Sequence, residues 1–244
     1  SVDLCAALPP ADLSSSYSRE GTLAHALTTE CVRNGEFSAD DYIGAVLPEC
    51  PGYPVTARVA SSVNDVLRHV MQLPFGTSEW YAEKRVGVPL DDRLWGTSDL
   101  VMLEPDGTLR VEDYKFGWSP VPAENNPQLL YYAVGAWRTL FGSRDDISRV
   151  VIRVHKPNIS PEPEVWETDV MRFLDFETEL AGALVAVEQF PEFVPGTHCR
   201  YCPAAQLDRC GVLQKTVIAD EQTSITVWET ETPAQLGDRF KRHE

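Results

Sequence analysis

The chain has 244 residues, enough for one large α/β domain or two small ones around a real hydrophobic core. An apolar share of 43% and a charged share of 24% exclude global disorder, and no run approaches the roughly 20 apolar residues of a membrane helix. Acidic residues outnumber basic ones by 37 to 21, for a net charge of −16, which excludes bulk attraction to nucleic acid. DNA or RNA could then be bound only through a local basic groove, or through metal ions that neutralise carboxylates facing the phosphates. Residues 1–13 lack the basic start and apolar run of a signal peptide, so a soluble cytoplasmic protein is expected.

In chain order, residues 14–35 read as a capped helix, with a serine run before Leu23, Ala24, Leu27 and Cys31 at helical spacing. A second helix covers residues 55–73 and stops at Pro74. The period then changes to alternation over residues 80–88, 96–103 and 109–115, with Pro105-Asp106-Gly107 as the turn between the last two. Helix returns over residues 127–140, with Pro127 at a first helical position. A strand follows at 148–155, and a last long helix at 171–189. The order predicts an α/β fold in one domain, with a central mixed sheet flanked by helices. Residues 1–212 form that domain and residues 213–244 a polar, acidic extension ending in a short helix at 232–242.

The hairpin between the second and third strands carries the chemistry. Asp113 and Lys115 stand two apart on one strand and so share a face, while Asp99 comes from its antiparallel neighbour. All three are expected to meet at the sheet's edge. Two carboxylates with the Tyr114 carbonyl offer hard oxygen ligands for Mg²⁺ or Mn²⁺. The lysine ammonium can orient a water and stabilise charge on a phosphate, a kit for phosphodiester hydrolysis. Taken alone, such a pair reads more readily as a solvated strand face with cross-strand ion pairs. Gln128 and Tyr132 follow at i and i+4 on the next helix, and the first helix carries the segment EGTLAH around His25.

In combination these residues resemble the RecB-like branch of the PD-(D/E)XK nuclease superfamily. The matching positions are His25, Glu83, Asp99, Asp113-x-Lys115 and Gln128-x-x-x-Tyr132, over roughly residues 5–210. The segments EGTLAH, GTSDLVML, VEDYKFGWSPVPAENNPQLLYYAVGA and CRYC look like a phage-encoded group similar to the CRISPR-associated iron–sulfur exonucleases. The resemblance implies a restriction-endonuclease-like core in which Asp99 and Asp113 bind metal and Lys115 is the catalytic lysine. It implies that His25 completes the metal shell, that Glu83 is an accessory acid, and that Gln128 and Tyr132 position the DNA backbone or the lysine. The superfamily lysine often follows Glu, and here Asp113 takes that place with a shorter reach. Without the resemblance, His25 reads as a surface or buried hydrogen-bonded histidine, and Gln128 with Tyr132 as part of an ordinary amphipathic helix.

Six cysteines remain. Cys199-x2-Cys202-x7-Cys210 lies in a Pro/Gly loop and reads as a metal or cluster signature more than a redox one. The resemblance implies a [4Fe–4S] cluster held by these three and an N-terminal cysteine, with Cys5 the best placed. That cluster would staple the N- and C-terminal segments together. Thiol count alone suits zinc as well. Cys50 and His198 are rivals for the fourth position, and Cys31 reads as a buried structural thiol.

The leading expectation is a metal-dependent DNA nuclease, an exonuclease working on linear or single-stranded ends in phage recombination, with a recombination protein as partner and no membrane. A non-catalytic iron–sulfur scaffold on the same fold is the alternative, and a zinc-ribbon binding module a third. The intact Asp99, Asp113, Lys115 and Gln128 argue against the scaffold, and the zinc-ribbon reading leaves the hairpin unexplained.

Overall fold

Helix α1, Ser16–Asn34, buries Leu23, Ala24, Leu27 and Cys31 along one stripe. It ends in a Schellman motif. Gly35 adopts φ +71°, its N–H reaches the Val32 carbonyl at 3.3 Å, and the Glu36 N–H reaches that of Cys31 at 2.9 Å. A 3₁₀ turn at Asp40–Tyr42 precedes α2, Ala57–Val70, whose N-cap Thr56 accepts from the Val59 N–H at 3.2 Å. Val59, Ala60, Val63, Val66, Leu67 and Val70 make the buried stripe of α2. These features come from a computed structural model, which describes residues 16–189 and, beyond them, 194, 196, 199, 202, 204 and 210–212. The chain divides into two compact units, residues 14–184 and the remainder.

Five strands form one sheet in the order β1-β2-β3-β4-β5: Glu79–Gly87, Trp95–Leu103, Thr108–Tyr114, Arg149–His155 and Glu164–Thr168. The pairs β1–β2, β2–β3 and β4–β5 are antiparallel, and β3–β4 is parallel. The parallel pair needs a crossover, which α3, Pro127–Thr139, supplies. Its N-cap Asn126 accepts from the N–H groups of Gln128 and Leu129 at 3.0 and 3.4 Å. The chain then continues into α4, Val170–Gln189.

Two cores lie on opposite faces of the sheet. On one face α3 and Phe173 and Phe176 of α4 cover Val101, Val111, Val150 and Ile152. On the other, α1 and α2 cover Leu100, Tyr114 and Phe116. Strand β3 is therefore buried on both faces along its whole length, as a central strand should be.

The observed order is the expected α/β arrangement, a mixed sheet flanked by helices, with one strand added. The sequence reading omits β5, five residues that alternate exposed and half-buried and carry Glu164 and Glu167. Short charged edge strands give weak apolar periodicity, because their role is to end the sheet. The proposed tail, residues 213–244, with its helix at 232–242, lies outside the described residues, as do Cys5 and His198.

Candidate metal centre

The sheet forks where the expected site residues lie. The β2–β3 ladder runs from Leu103↔Leu109 to Leu100↔Glu112 and stops. Beyond that point β2 continues with β1 alone as far as Gly87↔Trp95, while β3 stays with β4, its Lys115 N–H bonding the His155 carbonyl at 2.8 Å. The Asp99 carboxylate sits in the fork and accepts from the Tyr114 N–H at 2.6 Å. The site is thus at the parting ends of the central strands and not at the lateral edge expected from the hairpin alone.

Register brings three acids into one row. Ala82↔Leu100 and Lys84↔Ser98 set Glu83 opposite Asp99, and Leu100↔Glu112 carried one step on sets Asp99 opposite Asp113. Neither ladder includes these pairs. On β1 the reason is visible, because Glu83 has φ +48°, a left-handed conformation that costs a non-glycine residue roughly 1–2 kcal/mol. Side-chain alternation slips there. Tyr81 and Val86, five residues apart, both pack into the α3 core, where strict alternation would place them on opposite faces. On β2 the same slip separates Val101 from Gly96, whose Cβ, were there one, would stand 2.8 Å from Tyr132 Cε1. The slip turns Glu83 and Asp99 toward α1.

Helix α1 meets them with His25. Its Nδ1 lies 3.3 Å from Asp99 Oδ1 and 4.0 Å from Glu83 Oε1. One ligand atom from each of His25, Glu83 and Asp99 falls within 4.8 Å of the others, the spacing a single metal ion needs, and no other such group of three exists among the described residues. Burial pulls the His25 pKa down, but the hydrogen bond to Asp99 and the charges of Asp99 and Glu83 outweigh it, and the net shift is upward. Glu83 is raised by burial and by the Asp99 charge, against the pull of His25 and Arg33. The Arg33 guanidinium is anchored nearby by donating to the Ala82 carbonyl at 3.0 Å.

Asp113 is almost fully buried, and Lys115 Nζ holds it at 2.7 Å from Oδ1 and 2.6 Å from Oδ2. Burial and the Asp99 charge raise its pKa against the pull of Lys115. Gln128 Nε2 donates to the Tyr132 hydroxyl at 2.8 Å, so the expected i, i+4 pair is formed. Tyr132 is raised by burial and by the charges of Asp113 and Asp99, which places it in the field of the acidic row. His25, Glu83, Asp99, Tyr114 and Lys115 line one cleft of about 830 Å³ between α1 and the fork.

Several residues around the cleft escaped the sequence reading. Thr29, Glu30 and Arg33 of α1, Glu49, Thr97 and Phe116 also line it. Their periodicity is that of ordinary helix and strand surfaces, so no local pattern marks them. Behind the site, Glu112 is fully buried beside His155 (2.6 Å), Arg153 (3.5 Å) and Arg110 (3.6 Å). Polar residues at alternate positions of a central strand, Arg110 and Glu112, were the available signal for that cluster.

The cysteines are described separately. Cys31 and Cys50 are buried thiols, and burial pushes Cys31 up to about 12. Cys199, Cys202 and Cys210 are half-buried and do not gather into a group spaced for a single ion. The Gly196 N–H points to Cys199 Sγ at 3.4 Å, and the Cys202 N–H to the Cys199 carbonyl at 3.2 Å.

Fold and site together define an α/β protein with helices on both faces of a five-stranded mixed sheet and a histidine–carboxylate cleft at a fork in that sheet. The chain belongs to the family described as "Protein of unknown function (DUF2800)", whose model matches residues 1–239. A solved structure, "Crystal structure of SSO0001", is similar over 82% of this chain and 89% of its own, at 12% identity and a TM-score of 0.32. No helix among the described residues is long and apolar enough to cross a membrane.

Proposed function

We propose that the protein is a divalent-metal-dependent deoxyribonuclease, an exonuclease that hydrolyses linear or single-stranded DNA ends in phage recombination or processing. The observation that carries this reading is the row Glu83–Asp99–Asp113 set against His25 and Lys115. Like charges facing one another across strands are unfavourable; Lys115 answers Asp113, which as an expected ligand falls outside the group, and Glu83 beside Asp99 makes sense where a cation joins them. Two carboxylates and one imidazole suit a small divalent cation. The nitrogen ligand favours Mn²⁺ over Mg²⁺, which prefers oxygen alone.

A cation held by His25, Glu83 and Asp99 would supply Lewis acidity toward a phosphate oxygen and lower the pKa of a water. The chain's own residues do the rest. Lys115 keeps the buried Asp113 in place and presents a positive charge in the cleft, where negative charge grows on a phosphate under attack. The Tyr114 N–H fixes one oxygen of Asp99 and leaves the other toward His25. Tyr132, held by Gln128, supports β2 at Gly96 and so sets the width of the fork. For the cysteines, the proposal is a [4Fe–4S] cluster on Cys5, Cys199, Cys202 and Cys210, with zinc as the alternative. Thiolates are the donors either group takes, and binding would have to draw together Cys199, Cys202 and Cys210, which do not stand around one point.

The test is cleavage of end-labelled linear DNA, single- and double-stranded, in Mg²⁺, Mn²⁺ and chelator, with Asp99→Asn and Lys115→Ala alongside. Metal-dependent cleavage by the wild type alone supports the assignment. A folded protein that cleaves neither form in either metal overturns it. Iron and acid-labile sulfide in anaerobically purified protein, against zinc, decide the nature of the cysteine site.

A further inference from the structure

Two tryptophans flank the cleft with their rings in solvent. Trp95 is 56% exposed and Trp118 is 62% exposed, where tryptophan is ordinarily among the better-buried residues. Both positions follow from elements that shape the cleft. Thr97 lines it, and Trp95 stands two residues earlier on the same face of β2, since Gly96 between them faces Tyr132. Trp118 directly follows Phe116 and Gly117, which are also part of the cleft wall. Arg85, paired with Thr97 across β1–β2, holds its guanidinium carbon 4.4 Å from the Trp95 ring centre.

We propose that Trp95 and Trp118 are the base-stacking contacts of a single DNA strand threaded through the cleft, with Arg85 as the phosphate contact beside Trp95. This inference rests on the nuclease reading and names how the strand is held. The charge of the protein favours a contact of this kind. The chain carries a net −16, and in the cleft wall Glu30, Glu49, Glu83 and Asp99 outnumber Arg33 and Lys115, so away from Lys115 phosphates gain little from the surroundings of the site. Stacking on an aromatic ring is indifferent to that charge and tolerant of sequence, because every base has a π-face. It also demands unpaired bases, whose faces a duplex would already have occupied.

The experiment titrates a labelled oligothymidylate into the full-length protein in Ca²⁺, with melting curves confirming that each variant is folded. Trp95→Ala and Trp118→Ala are each expected to weaken binding about tenfold, the measure of one lost base stack, and Trp95→Phe and Trp118→Phe to restore most of it. The weakening persists at raised salt, whereas that of Arg85→Ala fades. Alanine variants that bind as tightly as the wild type, or phenylalanine variants that fall as far as alanine, overturn the stacking inference. If the wild type still cleaves DNA with metal in that case, the nuclease reading stands without it. A wild type that neither binds the oligonucleotide nor cleaves DNA removes both.

Discussion

Asparagine at position 99 separates the metal site from the stability of the fold. The amide oxygen can still accept the Tyr114 N–H, so Asp99→Asn removes one charge and little shape. Glu83 and Asp99 offer ligand atoms within 4.8 Å, and two unit charges at that distance repel by about 3.5 kcal/mol at an effective dielectric of ~20. A third of the Glu83 side chain is in solvent, which screens the repulsion to roughly 1–2 kcal/mol. The opposing loss is the attraction to His25 at 3.3 Å, which exists only while His25 is protonated. His25 has a raised folded pKa. Its stabilising contribution is therefore full below the ordinary value of 6.5 and is lost as pH rises through the folded value. In chelator at alkaline pH, Asp99→Asn should consequently melt a few degrees above the wild type, and this advantage should shrink or reverse below pH 6.5. Mn²⁺ inverts the order, because the wild type gains about 2.7 kcal/mol at a hundredfold excess over its Kd and the variant gains almost nothing. Thermal melts in chelator and in Mn²⁺ across pH measure all of this. A variant less stable than the wild type in alkaline chelator, or one with an undiminished Mn²⁺ shift, refutes the account of the acidic row.

Lys115→Ala leaves Asp113 buried without its cation, and should cost about 2–3 kcal/mol in urea unfolding, less than a fully buried pair because Lys115 is about a quarter exposed. Gly96→Ala drives a Cβ to 2.8 Å from Tyr132 Cε1 and should cost roughly 1–3 kcal/mol, with slower DNA cleavage because the fork must shift. Cleavage in Mn²⁺ should rise with pH as His25 loses its proton at its raised pKa, and His25→Ala should abolish that limb together with most Mn²⁺ affinity measured by calorimetry. Glu112→Ala strands Arg153 and His155 behind the site, while Arg110 keeps Glu104 at 2.6 Å, and should destabilise the fold by about 3–5 kcal/mol, read by denaturant midpoint.

Much of the fold is legible along the chain because its signals are local. The stripe of α2, the Pro-Asp-Gly turn before β3, and Asn126-Pro127 opening α3 each sit within a few residues of the structure they specify. The i, i+4 pairing of Gln128 with Tyr132 is equally local, and forms as expected. β5 escaped because an edge strand half in solvent has no need of an apolar period. Thr29 and Arg33 of α1 and Glu49 of the loop before α2 escaped because they look like ordinary surface positions and only the packing of α1 on the sheet brings them to the cleft.

Two aspartates, a lysine, a glutamate and a histidine stand out along the chain as residues that could do chemistry. Where they meet is set by packing between distant elements. Strict alternation along β1 and β2 does not turn Glu83 and Asp99 toward α1. The left-handed Glu83, the slip it causes, and the parting of β2 from β3 do so. A conformation that costs the residue energy in isolation persists because two packed cores, one on each face of the sheet, hold the strands on either side of it.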